Sequence, residues 1–394
     1  MTQLLRSESL SAALLLGAAL VGLITANLPF GEALLDFKDT VAGIPGTGLD
    51  LNVGEWVSDG LLAIFFLVVS MELKMEMRVG QLSKPSQALR PAIAAAGGVI
   101  VPALVFVAFN ASGPYLQGWP IPTATDIAFA VGILAMFGRF VPRRLRTFVL
   151  ALAILDDLVG IVFIAVFFTS TLHPRYILAA AACVLAFGLL STLLRSPRHR
   201  GWVTVVLIPL GVLTWVFMYQ SGVHATIAGV ALGFAMARPT ADTLRHHLDP
   251  FVNVLVLPVF AFTAALVSIP SVPLSSLSSV FWGIVVALPV GKLVGITLGS
   301  WLSSFLDRDQ QSEPFREMLT VGCLAGIGFT ISLLMNELAF EDAPEIINQG
   351  TVAVLLGSMI AMIASGILVS WLSRHYRNHP EQLPLADRPS DRCG

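Results

Sequence analysis

An all-α polytopic membrane protein with about twelve transmembrane helices is the fold class this sequence predicts, on three observations. Of its 394 residues 56% are hydrophobic and 12% charged, whereas a soluble domain carries about 25% charged residues and has no use for so much apolar surface. Apolar runs of about 20 residues, the length that crosses a bilayer, recur along nearly the whole chain between short loops rich in Pro, Gly and Arg. Basic residues then alternate from loop to loop. With a cytoplasmic N-terminus, all of the 23 Lys and Arg except Lys38, Arg175 and Lys292 fall on the cytoplasmic face, as the positive-inside rule requires. Both termini are therefore expected in the cytoplasm.

The spans are expected near residues 10–29, 55–77, 89–111, 117–138, 144–169, 175–194, 202–220, 222–237, 250–269, 279–304, 316–338 and 348–372. The first follows Arg6 as the core of a signal peptide would, but no small-x-small cleavage site ends it. Its removal would also upset the charge alternation, so it reads as a retained helix. After it, the turn-forming Pro45-Gly46-Thr47-Gly48 leads into alternating Leu49, Asp50, Leu51, Asn52 and Val53, which signals a small external β-hairpin over about 40–54. A lone hairpin is marginal in water and needs a partner surface, for which a second subunit is the candidate. The eighth span is short and follows the seventh almost directly. Past the twelfth the chain turns polar, so 1–374 reads as one integral membrane domain and 375–394 as a disordered cytoplasmic tail.

Cys183 and Cys323 lie inside spans and Cys393 in the tail, a scatter that offers no disulfide framework or metal cluster. The net charge of −2 says little about partners. The lipid bilayer is the partner that composition implies, and no nucleic-acid partner is expected.

A charge at mid-bilayer costs roughly 2.5 to 3.5 kcal/mol on insertion scales, so acids there are functional candidates. Asp156 and Asp157 sit mid-way along the fifth span in "ALAILDDLVGIVF", Asp126 near the middle of the fourth in "IPTATDIAFAVG", and Lys292 near the middle of the tenth in "LPVGKLVGITLG". Three acids outnumber one Lys, and the surplus calls for a cation or a proton: these residues mark a cation pathway. Neighbouring helical residues point about 100° apart, so Asp156 and Asp157 cannot play the same part. One faces a wet cavity as a hard oxygen ligand, and the other turns to a buried cation. Lys292 is the basic residue at that depth. The reading pairs it with Asp156 and gives Asp157 the ion, an assignment that sequence alone allows to be reversed. The plainer alternative is a buried ion pair that merely joins helices.

The fourth and eleventh spans look interrupted. Pro120, Pro122 and Thr123-Ala124-Thr125 precede Asp126, and Gly322, Gly326 and Gly328 punctuate "GCLAGIGFTISLL". Helix ends exposed at depth are tolerable beside a cavity, where side chains compensate the dipoles. Asp126 suits the positive ends and Lys292 the negative ones. Close helix packing is the competing account of the glycines. Spans three to five (89–169) and ten to twelve (279–372) form a possible repeat. Their offset of seven spans inverts one against the other, the pattern of secondary transporters.

Other features are weaker. Gly291, Gly295 and Gly299 read as a packing stripe beside Lys292. Glu72 and Glu76 share a face near the cytoplasmic end of the second span and form a possible cation funnel, or simply a solvated helix end. Asp59 starts that span. His224, in "QSGVHATIAGV", titrates in the physiological range unless it is a plain hydrogen-bonded loop residue.

Taken together, "WVSDGLLAIFFLVVSMELKMEM", "PTATDIAFAVGILAMFG", "LALAILDDLVGIV", "GVHATIAGV", "LPVFAF", "GKLVGI" and "GIGFTISLL" resemble the bacterial NhaA-type Na+/H+ antiporter family, in family order over almost the whole chain. This family is among those in which the inverted repeat is described. The resemblance implies a fold with two crossed, unwound helices, the fourth and eleventh, and exchange of Na+ or Li+ for H+ at the bacterial inner membrane. It implies that Asp157 binds the cation with Asp156 close by, that Lys292 bridges to Asp156, and that Asp126 with Thr125 sits at the helix crossing. Glu72 and Glu76 match cytoplasmic-funnel positions linked to pH response, and the hairpin matches one that joins a homodimer. No cofactor beyond the transported ions is implied, and no enzymatic chemistry. The chain departs from the family at Arg245 and Asp249 in "DTLRHHLDP", and at Thr263 to Leu266 after "LPVFAF".

The expected mechanism is alternating access, with Na+ and protons competing for the Asp156-Asp157 pair; more than one proton per Na+ makes the cycle electrogenic. An intramembrane aspartyl protease also needs two membrane acids, but Phe329 follows Gly326 and Gly328 where its Gly-x-Gly-Asp signature needs Asp. A buried Lys-Asp pair among asymmetric spans suits a carrier better than a channel. Among carriers, a Na+-coupled solute symporter is the alternative.

Overall fold

The computed structural model describes residues 8–43, 49–78, 85–167, 172–194, 196, 200–269, 277–306 and 314–382. They fold almost wholly into helix, in the order α1 (Glu8–Ala26), α2 (Gly31–Asp39), α3 (Val53–Glu55), α4 (Leu62–Arg78), α5 (Pro85–Asn110), α6 (Ile127–Phe137), α7 (Arg143–Phe167), α8 (Pro174–Leu193) and α9 (Arg200–Gln220). There follow α10 (Thr226–Ala235), α11 (Arg238–Phe251), α12 (Leu257–Ala264), α13 (Ser279–Val286), α14 (Lys292–Leu306), α15 (Phe315–Ala325), α16 (Phe329–Ala339) and α17 (Pro344–Asn378). Wider π turns at Trp56–Leu61, Val252–Val256 and Ala287–Gly291 join α3 to α4, α11 to α12 and α13 to α14 into long rods.

Among the described residues, 7 helices are long and apolar enough to cross a membrane, or up to 9 if each of two bent pairs is one span. That is fewer than the twelve spans expected from hydropathy. The expected fourth and eighth spans appear as the short helices α6, with 11 residues, and α10, with 10. Pro120 and Pro122 withhold backbone donors ahead of α6, and the chain reverses at Gly222 (φ 84°) ahead of α10, a backbone angle that glycine adopts freely. The expected fifth span is α7, which is outside the 7.

Of the β-hairpin expected at 40–54, the described residues show one antiparallel bridge between Val41 and Asn52, and its turn at 44–48 lies outside the described residues. Its apolar residues Leu49 and Leu51 bury against Trp215, Ala225 and Ala228 of the same chain. The polar tail expected from 375 begins later, because α17 continues to Asn378 and is followed by a helical turn at Pro380–Gln382.

The helices gather in two compact units. One lies within Ala13–Ser83 and Ile161–Ser268; the other, within Lys84–Gly160 and Ile269–Gly394, holds most of both segments expected to repeat. In the first, α10 lies tightly on α4, since a Cβ at Gly229 would run into the Ala63 carbonyl and one at Gly233 into Leu67 and Ser70. Small residues allow this approach where lipid gives helices no hydrophobic reason to associate. Lys74 Nζ then caps the end of α10, donating to the carbonyls of Phe234 at 2.6 Å and Met236 at 2.7 Å. In the second unit α5 and α14 meet in the same way, Gly97 against Gly295, and Gly299 against Ile93 and Ala94. The glycine stripe beside Lys292 is a packing face.

Candidate functional site

In the second unit two interrupted helices meet. Ahead of α6 the chain makes a single tight turn at Ile121–Thr123 and then runs extended through Ala124 (ψ 156°) to Asp126 (ψ 104°). The other break is Gly326–Gly328, where α15 and α16 are bent by 48°. The freed backbone groups of one break bond to the other. Asp126 N–H donates to the Ile327 carbonyl at 2.6 Å, and the Thr125 hydroxyl lies 2.9 Å from the Ala325 carbonyl. Ser332 Oγ donates to the Ile121 carbonyl at 2.7 Å. Polar backbone is tolerable at membrane depth when it is satisfied within the protein in this way.

Asp126 sits where two helices begin. Its Oδ1 accepts the Phe129 N–H of α6 at 3.3 Å, and its Oδ2 accepts both the Thr330 N–H at 3.1 Å and the Thr330 hydroxyl at 2.7 Å at the start of α16. One negative charge thus answers two positive helix ends. The Phe129 and Phe329 rings, with centroids 4.9 Å apart, close the junction on its apolar side.

Beside this junction lies the ion pair. Lys292 Nζ is 2.6 Å from Asp156 Oδ2, and both side chains are fully buried. Lys292 is delivered by the Ala287–Gly291 π turn, which contains Pro289 and ends at the lysine; such turns re-aim a residue within an otherwise regular helix. Lys292 also donates to Thr125 Oγ1 at 3.0 Å. The Thr125 hydroxyl faces Asp156 Oδ2 at 2.6 Å as well as the Ala325 carbonyl, and with one proton it serves only one of them at a time. Asp156 Oδ1 is buried and accepts no hydrogen bond among the described residues.

Asp157 follows Asp156 in α7, and its side chain lies outside the described residues, as does that of Glu76 in α4. The remaining candidates are in the other unit. Glu72 lies 3.8 Å from Arg245, which also faces Asp249 at 3.5 Å. Arg245 and Asp249 of "DTLRHHLDP" therefore belong to one network with Glu72. His224 Nδ1 is 3.9 Å from Asp59, whose backbone carbonyl accepts the Trp215 indole N–H at 2.9 Å.

Thr330 escaped sequence reasoning, although a hydroxyl residue just past a glycine break was a usable capping signal. Glu317 escaped as well: it is an acid in the first turn of the eleventh span, and the midplane test passes over acids at span mouths.

Comparison with known proteins agrees with the resemblance. Residues 2–369 match the model of the family described as Na+/H+ antiporter 1. The chain is 50% identical over 382 residues to Na(+)/H(+) antiporter NhaA 2 of Clavibacter michiganensis subsp. michiganensis, covering 96% of this chain and 93% of that protein. It is 42% identical to Na(+)/H(+) antiporter NhaA of Thermobifida fusca, covering 96% and 95%. The match to Na(+)/H(+) antiporter NhaA of Mycolicibacterium smegmatis is 41% identical, covering 98% and 91%.

Proposed function

The chain belongs to the Na+/H+ antiporter 1 family, and from that premise we propose that it exchanges Na+ or Li+ for H+ across the bacterial inner membrane, serving sodium extrusion and cytoplasmic pH homeostasis. The observation that carries this reading is the half-satisfied Asp156. Its Oδ2 is held by Lys292 and Thr125, while its Oδ1 is buried with no partner among the described residues, one position before a second acid. A bare carboxylate oxygen next to another acid, walled off from water, suits a hard cation and, when no cation is there, a proton.

In the proposed cycle Asp157 is the principal ligand and Asp156 Oδ1 a second. Protons arriving from the other side compete for the same oxygens, so the titration belongs to the pair. Lys292 and Thr125 keep Asp156 Oδ2 in place throughout. Asp126 serves the two helix starts and leaves the ion alone. Movement of the unit carrying this site provides alternating access, and more than one proton per Na+ lets the membrane potential drive the cycle. The inverted relation of 89–169 and 279–372, cytoplasmic termini and a homodimer through the segment 40–54 belong to the same proposal. Glu72, Glu76 and His224 are its pH-responsive candidates.

Inverted vesicles with an entrapped pH dye test the reading. Added Na+ or Li+ should dissipate a preset acid interior, and Asp157→Asn should abolish the response. A wild-type protein that gives no cation-induced change at any pH from mildly acidic to mildly alkaline would sink it.

A further inference from the structure

The second unit holds another buried acid. Glu317, in the first turn of α15, is fully buried, and its Oε1 accepts the Arg144 guanidinium at 2.8 Å and the Tyr376 hydroxyl. Its Oε2 accepts no hydrogen bond among the described residues. Arg316 lies over the Tyr376 ring, 5.5 Å from its centroid, and donates to Gln382 at 2.8 Å. Arg144 opens α7 and Tyr376 stands in the last turns of α17. One carboxylate oxygen therefore fastens the ends of three helices.

Those three helices meet again at the break. Asp156 is on α7, roughly 18 Å along the helix from Arg144 at 1.5 Å per residue. α15 ends at Ala325, whose carbonyl faces the Thr125 hydroxyl, and Ser358 of α17 accepts the Phe329 N–H at 3.2 Å. Helices are stiff along their axes, so a slip at Glu317 is passed on to the spacing between Asp156 and Ala325. Replacing a buried ion pair by apolar groups is often neutral or stabilising, so stability alone is a weak reason for placing one here. What a charged pair adds is one defined geometry.

We propose that Glu317 is a positioning residue for cation exchange: with Arg144 and Tyr376 it sets the register of α7 against α15 and so the distance of Asp156 from the helix break. This rests on the reading that Asp156 and Asp157 handle the cation.

The test uses purified full-length protein in proteoliposomes, with Na+-driven proton flux measured against Na+ concentration. Glu317→Gln leaves Arg144 without its counter-charge. It should raise KM for Na+ on the order of tenfold, since sub-ångström misplacement of ligands is that costly, with the maximal rate within about twofold. Arg144→Gln combined with Glu317→Gln should bring KM most of the way back, because two amides still hydrogen-bond without a stranded charge. A lowered melting temperature with unchanged KM would overturn the proposal, leaving the cluster a plain structural tie. If Glu317→Gln does not fold, Tyr376→Phe, which removes one hydrogen bond, should still raise KM by about two- to threefold, and no change overturns it.

Register is read separately from spin labels at positions 143 and 315, with Cys183, Cys323 and Cys393 replaced by Ser. The distance distribution should broaden in Glu317→Gln and narrow again in the double variant; an unaltered distribution in Glu317→Gln sinks the proposal whatever the flux assay shows. Loss of exchange in the wild type, by contrast, would sink the antiporter reading.

Discussion

Thr330 gives Asp126 two hydrogen bonds, donating its backbone N–H and its hydroxyl to the same carboxylate oxygen, Oδ2, at 3.1 and 2.7 Å. The side chain that caps α6 is thereby tied to the start of α16, and the two helix breaks act as one structural piece. Thr330→Val keeps the shape and the N–H bond but removes the hydroxyl, and should lower stability by about 1 kcal/mol. Asp126→Asn removes the charge that answers both helix ends and should lower it further, by roughly 1 to 3 kcal/mol. Thermal denaturation in detergent reads both. Equal melting temperatures for wild type and Asp126→Asn would show that the double cap is unimportant.

Lys292 and Asp156 are each other's close counter-ion at zero exposure. Lys292→Ala strands a buried carboxylate, and roughly 3 to 5 kcal/mol of stability should go with it. Lys292→Met combined with Asp156→Asn should recover most of that stability while exchange remains lost. A double-mutant cycle on melting temperature and sodium-driven flux separates the two effects. Full stability in Lys292→Ala would mean that the 2.6 Å pair holds nothing together.

Much of this arrangement was legible in the sequence, because membrane burial makes charges informative. Asp126, Asp156 and Lys292 stood out by depth alone, and Lys292 was the basic residue at hand for an acid in α7. The helix breaks were legible in Pro120, Pro122 and the glycines from Gly322 to Gly328. What hydropathy could not resolve was how much of each span would be helix: α6 and α10 are cut short by prolines and by a left-handed glycine, and hydropathy does not register backbone breaks. The segment expected as a hairpin is a different case. Period-2 alternation at Leu49 and Leu51 reported a buried face, and Trp215 and Ala225 of the same chain cover it.

The contact of α5 with α14 leaves no room at Gly295. A side-chain carbon there would overlap the Gly97 carbonyl and touch Val101. Gly295→Val should therefore push α14 away from α5 and carry Lys292, one turn earlier, out of line with Asp156, with a stability loss of at least about 1 to 3 kcal/mol. The amount of monodisperse protein after gentle heating measures it. Gly17, where a Cβ would meet nothing within 4 Å, serves as the control, and Gly17→Ala should behave as wild type. If Gly295→Val matched that control, the close approach would be dispensable.

Arg245 stands between two acids, 3.8 Å from Glu72 and 3.5 Å from Asp249, and all three side chains are partly exposed. Pairs of this kind are screened by solvent and contribute less than about 1 kcal/mol to stability, so Arg245→Gln should leave the melting temperature almost unchanged. Its electrostatic effect is different. Removing one positive charge leaves Glu72 and Asp249 more attractive to cations, and local cation concentration at a surface follows its potential. The variant should therefore reach half-maximal flux at lower Na+ in dilute buffer. At about 0.15 M ionic strength the Debye length is about 8 Å, and the advantage should fade as an inert salt such as choline chloride is raised towards it. An advantage that persisted unchanged in high salt would assign Arg245 a local structural part instead of a field effect.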